Sequence, residues 1–504
     1  SKLSVMAEPV AKKAKTETNG TNGKHYQTEL FINGKFVKAK SGKTFPTIDP
    51  HTEKVIAEVQ WAGQEDVNDA VNAAEEAFKT WKKSNGADRR DLLLKLADLV
   101  EKNRKELAEL ESIDNGKPVS VADTVDIMFV IECYRYYAGW ADKIQGKTIK
   151  PTQSSSEIFS FTWHDPVGVC GAIIPWNFPL LMQAWKFAPA LAMGCTVVMK
   201  LSEKTPLSGL RVCELIQEAG FPPGVVNVLN GDGATTGDFI ARHPRIRKVA
   251  FTGSTGVGKR IVKAASESNL KKVTLELGGK SPLIVHKDAD LDQAALAAHI
   301  GLFVNMGQCC CASSRIFVHE EIKEKFEAKI LEHAKGVRFE GSPGAGPIPL
   351  WAIIDKVQFN KVLGYIQKGK EQGARLLIGG GREGETGFVV KPTVFADVTD
   401  EMTIAKEEIF GPVLQLLTFT DLKDAITRAN DSEYGLAAGI MTRDTGTAIS
   451  VASELEAGTV WINCYNQFDL ACPFGGFKES GWGREKGEYA IDNYTEVKCV
   501  MMPM

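Results

Sequence analysis

The sequence predicts an α/β protein that contains two parallel sheets with helices on their faces. The chain has 504 residues, which exceeds the ~250–300 residues at which a single hydrophobic core stops growing, so two or three folded units are expected. Short β-rich runs alternate with helical runs from residue 167 onward, and a second alternation begins near residue 282. Such alternation indicates parallel strands joined by helical crossovers.

The composition is that of an ordinary folded protein. Apolar residues make up 43% and charged residues 24% of the chain, and the net charge is −3. This balance favours neither nucleic acid nor an anionic membrane as a partner. The chain shows no apolar run of ~18–20 residues and no secretory signal, so we expect a cytoplasmic protein with no membrane partner. Residues 1–25 are rich in Lys, Thr, Asn and Gly and are predicted to form a disordered tail.

The N-terminal elements are predicted to be a hairpin and two helices. Asn33-Gly34 supplies a two-residue turn between the runs 30–32 and 35–37. Apolar residues then recur at helical spacing in two segments, and the second opens near Asp88. The first segment contains Val67, Val71, Ala74, Phe78 and Trp81, and the second contains Leu92, Leu96, Leu99 and Leu107.

Two alternating series follow. In the first, strands are predicted at 167–174, 196–200, 225–229 and 248–251, with helices at 181–191, 207–219, 235–241 and 257–265. In the second, strands are predicted at 282–285, 315–318, 439–441 and 459–463, with a helix at 291–298 and an ordered Gly/Pro-rich loop at 341–349. Ligands bind at the carboxyl ends of such strands. A terminal strand at 497–501 needs a neighbour from this chain or another.

Most of the ten cysteines are predicted to be reduced and buried. This group comprises Cys133, Cys170, Cys195, Cys213, Cys464, Cys472 and Cys499. The remaining residues, Cys309 to Cys311, are adjacent, and no Cys or His stands at a zinc-ligand spacing around them, so no metal site is expected. They precede a predicted strand, and a thiol there is either a nucleophile or part of a buried cluster.

Two further segments carry candidate chemistry. The loop 253–258 opens into a helix, whose free N–H groups suit a phosphate, although a tight strand-to-helix turn explains its glycines equally well. Glu276 ends an apolar strand beside Gly278-Gly279. Burial there would raise its pKa toward the range of a general base. From this segment alone, an ion pair with Lys280 or Lys271 is the favoured alternative.

Six segments, in order, resemble motifs of the aldehyde dehydrogenase family, in particular its class 1 and 2 members. They are PWNFP (175–179), FTGS (251–254), LELGGKSP (275–282), GQCC (307–310), EEIFGPV (407–413) and CPFGGFKESGWGRE (472–485), and the likeness runs from about residue 27 to 504. The resemblance implies an aldehyde dehydrogenase-like α/β fold. It comprises a Rossmann-type NAD-binding domain (26–145 and 168–279), a catalytic domain (280–479) and a small β oligomerisation element (146–167 and 480–504).

The resemblance also implies roles for individual residues. Cys310 would be the nucleophile that forms a thiohemiacetal and then a thioester, Asn177 would stabilise the oxyanion, and Glu276 would activate water. The implied cofactor is NAD rather than NADP, because a carboxylate at Glu203 repels a 2′-phosphate. The implied cofactor-binding residues are Trp176, Lys200, Glu203, Gly233, Phe251, Ser254, Leu277, Gln358, Lys361, Glu408 and Phe410.

A narrow apolar substrate tunnel is implied as well. Its residues are Phe129, Phe178, Met182, Trp185, Phe468 and Phe474. Such a tunnel suits small or slender aliphatic and aromatic aldehydes. The family likeness further implies a homodimer or homotetramer built partly through the C-terminal strand.

Several positions depart from the family pattern. Leu201-Ser202, Gly256 and Met306 replace familiar residues, and the stretch 349–353 is apolar where the family is polar. These departures support an alternative hypothesis, in which the chain is a lens crystallin of the omega type with little or no dehydrogenase activity. The presence of Cys310, Glu276 and Asn177 favours the enzyme.

Overall fold

A computed structural model describes residues 19–20, 23–152, 158–339 and 350–504. Most of the predicted tail and the whole of the loop 341–349 therefore lie outside the described residues. Within the described ranges, no helix is both long and apolar enough to cross a membrane. Two large sheets dominate the architecture, and a small three-stranded sheet joins strands within residues 148–166 to the C-terminal strand.

The strands vary from two to nine residues. In chain order they are β1 (Leu30–Ile32), β2 (Lys35–Val37), β3 (Thr44–Ile48), β4 (Val55–Gln60), β5 (Thr148–Ile149), β6 (Ile158–Pro166), β7 (Val169–Ile173), β8 (Thr196–Lys200), β9 (Val226–Leu229), β10 (Lys248–Thr252), β11 (Lys272–Glu276), β12 (Pro282–Val285), β13 (Arg315–His319), β14 (Arg375–Ile378), β15 (Thr393–Ala396), β16 (Val413–Phe419), β17 (Tyr434–Gly435), β18 (Ala437–Met441), β19 (Thr459–Ile462), β20 (Phe477–Lys478), β21 (Gly481–Trp482) and β22 (Thr495–Pro503).

The α-helices lie mainly between strands. They are α1 (Gln64–Trp81), α2 (Gly86–Lys102), α3 (Arg104–Asn115), α4 (Val119–Val121), α5 (Met128–Trp140), α6 (Pro179–Ala192), α7 (Leu207–Ala219), α8 (Asp238–Arg242), α9 (Thr255–Ser268), α10 (Leu291–Phe303), α11 (Lys323–Lys335), α12 (Lys356–Glu371), α13 (Thr403–Lys406), α14 (Leu422–Asn430) and α15 (Thr445–Glu454). Both predicted alternating series are therefore confirmed.

The first sheet is doubly wound. Its strand order is β2-β1-β9-β8-β7-β10-β11-β21, and strands β7 to β11 run parallel to one another. From β7 the chain builds outward through β8 and β9 on one side, and then through β10 and β11 on the other. Such a reversal opens a crevice at the carboxyl ends of the two central strands. The loops after β7 and β10 therefore meet at one place.

The second sheet has the order β14-β15-β16-β13-β12-β18-β19. Strand β12 pairs in parallel with β13 on one side and β18 on the other, and all its residues are buried. A strand that is buried on both faces reads as a continuous apolar run, and Pro282–Val285 has this pattern. The second predicted α/β unit is confirmed by this sheet.

The C-terminal strand finds its neighbour within the same chain. Strand β22 pairs antiparallel with β6 along its whole length, in a three-stranded sheet of order β22-β6-β5. The outer edge of β22 is unpaired among the described residues, and Val497, Met501 and Met502 on it are exposed. The prediction grouped residues 480–504 with the oligomerisation element, but strand β21 of that segment pairs with β11 in the first sheet.

Two expectations need correction. The predicted second helix breaks at Asn103, so that Leu107 belongs to α3, because the Asn103 side-chain amide donates to the Leu99 carbonyl oxygen (2.7 Å) and ends α2. The start of that helix agrees with the prediction, since it begins at Gly86 and has Asp88 in its first turn. Cys472 and Cys499 are exposed rather than buried, whereas all ten cysteines are free as predicted.

We expect the centre of the second sheet to be the most sensitive to truncation. Ile284 on β12 is fully buried, so Ile284→Ala should lower the free energy of unfolding by ~2–5 kcal/mol through lost burial and a residual cavity. Ile449→Ala is the matched control, because Ile449 on α15 is 60% exposed and should change stability by less than ~0.5 kcal/mol. Equal shifts in the urea midpoint for the two variants would contradict this account.

Candidate active site

The largest set of candidate residues lines one cavity of about 540 Å³. Its walls come from the loops after β7, β10 and β11 of the first unit and from the segment that precedes β13 in the second unit. This volume lies in the range of small-molecule sites. The position is also the crevice that the doubly wound order of the first sheet creates.

A strained turn delivers the cysteine segment to the cavity. After α10 ends at Phe303, Asn305 and Met306 adopt φ of 53° and 52°, and Gly307 follows at 70°. Left-handed backbone is costly for residues with a side chain. A Cβ on Gly307 would lie 2.1 Å from the Gly411 carbonyl oxygen. Glycine is therefore required at this position, and the neighbouring structure must hold the turn.

Hydrogen bonds from both units hold that turn. The Asn305 amide donates to the Asn177 carbonyl oxygen (2.9 Å), and the Asn177 amide donates to the Gln308 carbonyl oxygen (2.9 Å). The Gln308 side chain in turn accepts from the Ile354 N–H (3.0 Å). Asn177 lies in the loop after β7 of the first sheet. A loop of the first unit therefore holds the segment of the second unit that carries Cys310.

Cys310 is the half-buried thiol of the three, whereas Cys309 and Cys311 are buried. Its pKa is raised well above the ordinary value, mainly by the hydrogen-bonding contact with Cys311 and further by burial and the Glu408 carboxylate. The surroundings of Cys310 therefore favour its neutral thiol form. A nucleophilic role requires a group that removes this proton.

Glu276 lies at the end of β11 with only 4% of its surface exposed. Its Oε2 atom has no hydrogen-bond partner among the described residues. Burial is the largest cause of a strongly raised pKa, and the Glu485 carboxylate adds to it. The predicted raised pKa is thus confirmed in direction. The ion-pair alternative is wrong, because Lys271 donates to the Ala241 carbonyl oxygen and the buried Lys280 Nζ has no hydrogen-bond partner among the residues described.

A buried lysine–glutamate pair that sequence reasoning missed lies beside Glu276. Lys186, from the middle of α6, contacts Glu485 and donates to the Thr252 hydroxyl (2.8 Å). The signal available in the sequence was a single lysine inside the otherwise apolar run 179–192. A charge in such a run needs a buried partner. The partner lies far along the chain, so its identity was not readable.

The N-terminus of α9 faces open space. Ser254 occupies the N-cap position, but its side chain makes no capping hydrogen bond, and a Cβ on Gly256 would meet no atom within 4 Å. The first N–H groups of this 14-residue helix can therefore donate hydrogen bonds to an anionic ligand. Ser254 and Leu277 both line the main cavity. This arrangement fits the pyrophosphate of a dinucleotide.

A second group of contacts shapes the opposite wall. The half-buried Glu408 carboxylate accepts from the Gly279 N–H (3.1 Å), and desolvation raises its pKa. Phe410 has φ of 57°, and the Gln358 amide donates to its carbonyl oxygen (2.8 Å). The Phe410 ring stands edge-on to Trp176, with 5.4 Å between ring centroids. These contacts position a carboxylate and two aromatic rings where a sugar and a flat base can bind.

Not all the predicted cofactor residues reach the main cavity. Glu203 lines a neighbouring cavity of about 300 Å³ together with Lys204 and Asp355. Lys200 Nζ donates to Glu203 (3.1 Å) and to the Gly231 carbonyl oxygen (3.0 Å), and so holds Glu203 in place. Gly233 and Phe251 line neither cavity.

The remaining predicted residues do share the main cavity. They are the catalytic candidates Cys310, Glu276 and Asn177, the cofactor candidates Trp176, Ser254, Leu277, Gln358, Lys361, Glu408 and Phe410, and the tunnel candidates Phe129, Phe178, Met182, Trp185, Phe468 and Phe474. The tunnel is not wholly apolar, however, because Glu485 and Lys486 also line it. The predicted apolar channel thus has two charged residues in its wall that the sequence analysis did not include.

The apolar stretch that departs from the family pattern is part of the core. Leu350, Trp351, Ala352, Ile353 and Ile354 are all buried, and Pro349 lies outside the described residues. Ile354 also provides the N–H that Gln308 accepts. Burial explains why these residues are apolar, so the departure is a packed feature rather than a sign of relaxed sequence constraint.

Comparison with known proteins gives a consistent result. The model of the aldehyde dehydrogenase family matches residues 36–500. Mitochondrial aldehyde dehydrogenase of Rattus norvegicus is 54% identical over 94% of this chain and 91% of its own length. Human retinal dehydrogenase 2 is 53% identical over 94% of this chain and 91% of its own length. The structure of a Bacillus cereus aldehyde dehydrogenase in complex with NAD⁺ is 51% identical, covers 95% of this chain and 97% of that one, and has a TM-score of 0.91. None of these three relatives is described as a crystallin, so they give that alternative no support.

The raised pKa of Cys310 predicts its alkylation profile. Only the thiolate reacts rapidly with iodoacetamide, so a raised pKa keeps the rate low at neutral pH and moves its rise to higher pH than in the unfolded chain, whose thiols titrate near ~8.5. The rate is measured by mapping the alkylated Cys310 peptide, with Cys310→Ser as the blank. A midpoint at or below that of the unfolded protein would refute the direction of the shift.

Proposed function

The chain belongs to the aldehyde dehydrogenase family and is therefore an NAD-dependent oxidoreductase that acts on aldehydes; we propose that its substrates are small or slender aliphatic and aromatic aldehydes, oxidised through covalent intermediates on Cys310. One observation carries the proposal. A thiol, a buried carboxyl group and a side-chain amide, each from a different segment, line one cavity of small-molecule size. The same combination satisfies the chemical demands of acyl formation followed by hydrolysis.

In the first step the Cys310 thiol loses its proton to solvent, and the resulting thiolate attacks the aldehyde carbon. The attack gives a tetrahedral thiohemiacetal whose oxygen carries negative charge. Asn177 donates one hydrogen of its amide to the Gln308 carbonyl oxygen, and the second hydrogen is available to the oxyanion. The backbone N–H of Cys310 is the other proposed donor. Each such donor typically contributes ~2.7–4 kcal/mol of transition-state stabilisation.

When bound, NAD accepts the hydride that the collapsing tetrahedral carbon releases. This leaves a thioester on Cys310. Glu276 then removes a proton from water, which attacks the thioester and frees the carboxylic acid and the thiol. Because the pKa of Glu276 is raised, it is a stronger base once ionised than an ordinary carboxylate. The Glu485 carboxylate raises the pKa of Glu276 further, whereas the Lys186 ammonium group lowers it.

The cofactor is proposed to lie across the crevice from the 300 Å³ cavity to the main one. Glu203 and Lys200 would bind the adenosine ribose, and the α9 N-terminus with Ser254 would bind the pyrophosphate. Glu408 and Phe410 would position the nicotinamide ribose. Gly233 and Phe251 do not line the main cavity, so we assign them supporting roles along the adenosine half. Four further residues would complete the wall: Trp176, Leu277, Gln358 and Lys361.

Assembly and location are proposed on separate grounds. The exposed apolar residues on the open edge of β22 support a homodimer or homotetramer, because unpaired edges favour pairing with another chain. We also propose the domain division predicted from the sequence, with one change. Strand β21 belongs with the first sheet, where it pairs with β11, and not with the oligomerisation element. Ten free cysteines favour a reducing compartment, and the cytoplasm is the one we propose.

The decisive experiment is NADH formation on mixing the protein with NAD and a short alkanal. We expect steady turnover that Cys310→Ser lowers by at least ~10³-fold, because a hydroxyl without a base partner is a poor nucleophile. Cys499→Ser is the matched control, since Cys499 is an exposed thiol on β22. Absence of turnover and of saturable NAD binding in the wild-type protein would overturn the proposal, and an active Cys310→Ser variant would refute the nucleophile.

Glu276→Gln separates the two half-reactions. Without the base, thioester hydrolysis should slow by ~10²–10⁴-fold, while one equivalent of NADH per site still forms in a rapid burst. The acylated Cys310 peptide should then accumulate and be visible by mass spectrometry. The wild-type rate should rise with pH as Glu276 ionises, since its raised pKa keeps it protonated at low pH. Loss of the burst in this variant would instead place Glu276 in the first step.

A further inference from the structure

A buried lysine lies in the wall of the main cavity. Lys486 follows Glu485 in the segment after β21, has φ of 60°, and exposes 4% of its surface. Both residues line the cavity that holds Cys310. A lysine is among the residues least often buried, and a buried one normally has an anionic partner. Lys486 therefore needs an explanation that the apolar tunnel does not provide.

Three aromatic rings surround the ammonium group. The distances from Lys486 Nζ to the ring centroids are 4.7 Å for Phe468, 5.4 Å for Trp185 and 5.5 Å for Phe474. These rings also contact one another, with Phe474 at the centre of the group. They are the same side chains that form the predicted substrate tunnel. The ring faces stabilise the cation in part, but they accept no ordinary hydrogen bond.

The ammonium group is poorly satisfied by the protein. Of its three donors, one reaches the Asp469 carbonyl oxygen at a long 3.3 Å. The nearest acidic side chains are engaged elsewhere, because Glu485 pairs with Lys186 and the exposed Asp469 carboxylate accepts from the Ala471 N–H (2.8 Å). Burial lowers the pKa of Lys486 to about 8. The group still carries its charge at neutral pH.

The other buried lysines of the chain differ in how they are satisfied, and Lys280 has no hydrogen-bond partner among the described residues. Lys117 and Lys186 each contact a buried carboxylate, Asp126 and Glu485 respectively. Lys486 has no such partner among the described residues, yet it lies against a cavity large enough for a small molecule. A buried ion that lacks a protein partner gains most from an anion that the ligand supplies.

We propose that Lys486 selects aldehydes that carry a carboxylate at the end opposite the aldehyde group. This inference rests on the proposed function, because it names the substrate class of the same cavity. The substrate's aliphatic or aromatic body lies among the tunnel rings, and its distal carboxylate accepts hydrogen bonds from the ammonium group. The ion pair forms in a site screened from water, where charge-assisted hydrogen bonds are strongest.

The test compares hexanal with the six-carbon aldehyde that bears a carboxylate at its other end. For the wild-type protein, kcat/KM should favour the carboxylate substrate, mainly through a lower KM. Lys486→Met, which keeps the length and removes the charge, should reduce the ratio of the two kcat/KM values by ~10–100-fold. Lys486→Arg should retain most of the preference. Lys259→Met is the control, since Lys259 is a surface residue that pairs with Glu479, and the ratio should not change.

A binding measurement keeps the inference separate from turnover. Titration of the protein with adipate and with hexanoate measures the contribution of the second carboxylate directly, and Lys486→Met should remove the advantage of adipate. If hexanal is oxidised but the ratio is the same in wild type and Lys486→Met, this inference fails and the proposed function stands. If no aldehyde is oxidised, the proposed function fails, and the titration alone then decides whether Lys486 binds a carboxylate.

Discussion

The hydrogen bonds that join Asn177 to the cysteine segment are the interaction on which the site depends. The Asn177 amide donates to the Gln308 carbonyl oxygen, and its own carbonyl oxygen accepts from Asn305. One residue at the carboxyl end of β7 thereby fixes a turn of the second unit that is strained at Asn305, Met306 and Gly307. The proposed oxyanion donor and the proposed nucleophile are positioned by a single contact. Neither unit alone contains the site.

Burial sets the protonation of the two groups, Glu276 and Cys310, that this contact helps to bring together. It raises the pKa of Glu276 and contributes to the raised pKa of Cys310, so both groups are neutral in the site without its ligands. Removal of a proton from either is then a distinct step, controlled by what enters the cavity. The neighbouring Lys186–Glu485 pair shows the contrary case, in which a buried charge is satisfied by a fixed partner. Lys486 shows a third case, a buried charge that has no ion-pair partner in the part of the chain that the structure describes.

The sequence was sufficient for the architecture and for much of the site. Runs such as Pro282–Val285 predict buried parallel strands directly, and the motifs around Cys310 and Glu276 placed both in one cavity. It failed where the outcome depends on contacts distant along the chain. The break at Asn103 depends on one side-chain hydrogen bond, and the exposure of Cys472 and Cys499 depends on which face of a segment the fold covers. The Lys186–Glu485 contact joins residues about 300 positions apart.

The position of β21 has a consequence for the folding of the chain during its synthesis on the ribosome. Strand β11 carries Glu276, and its outer edge is completed by β21, where Glu276 pairs with Gly481. Glycine is required there, since a Cβ would lie 2.0 Å from the Leu275 carbonyl oxygen. Two hundred residues of the second unit are synthesised between these partners. The strand that carries Glu276, the proposed base, thus keeps an open edge throughout translation of the second unit, and a nascent chain that stalls before residue 481 exposes it to pairing with another chain.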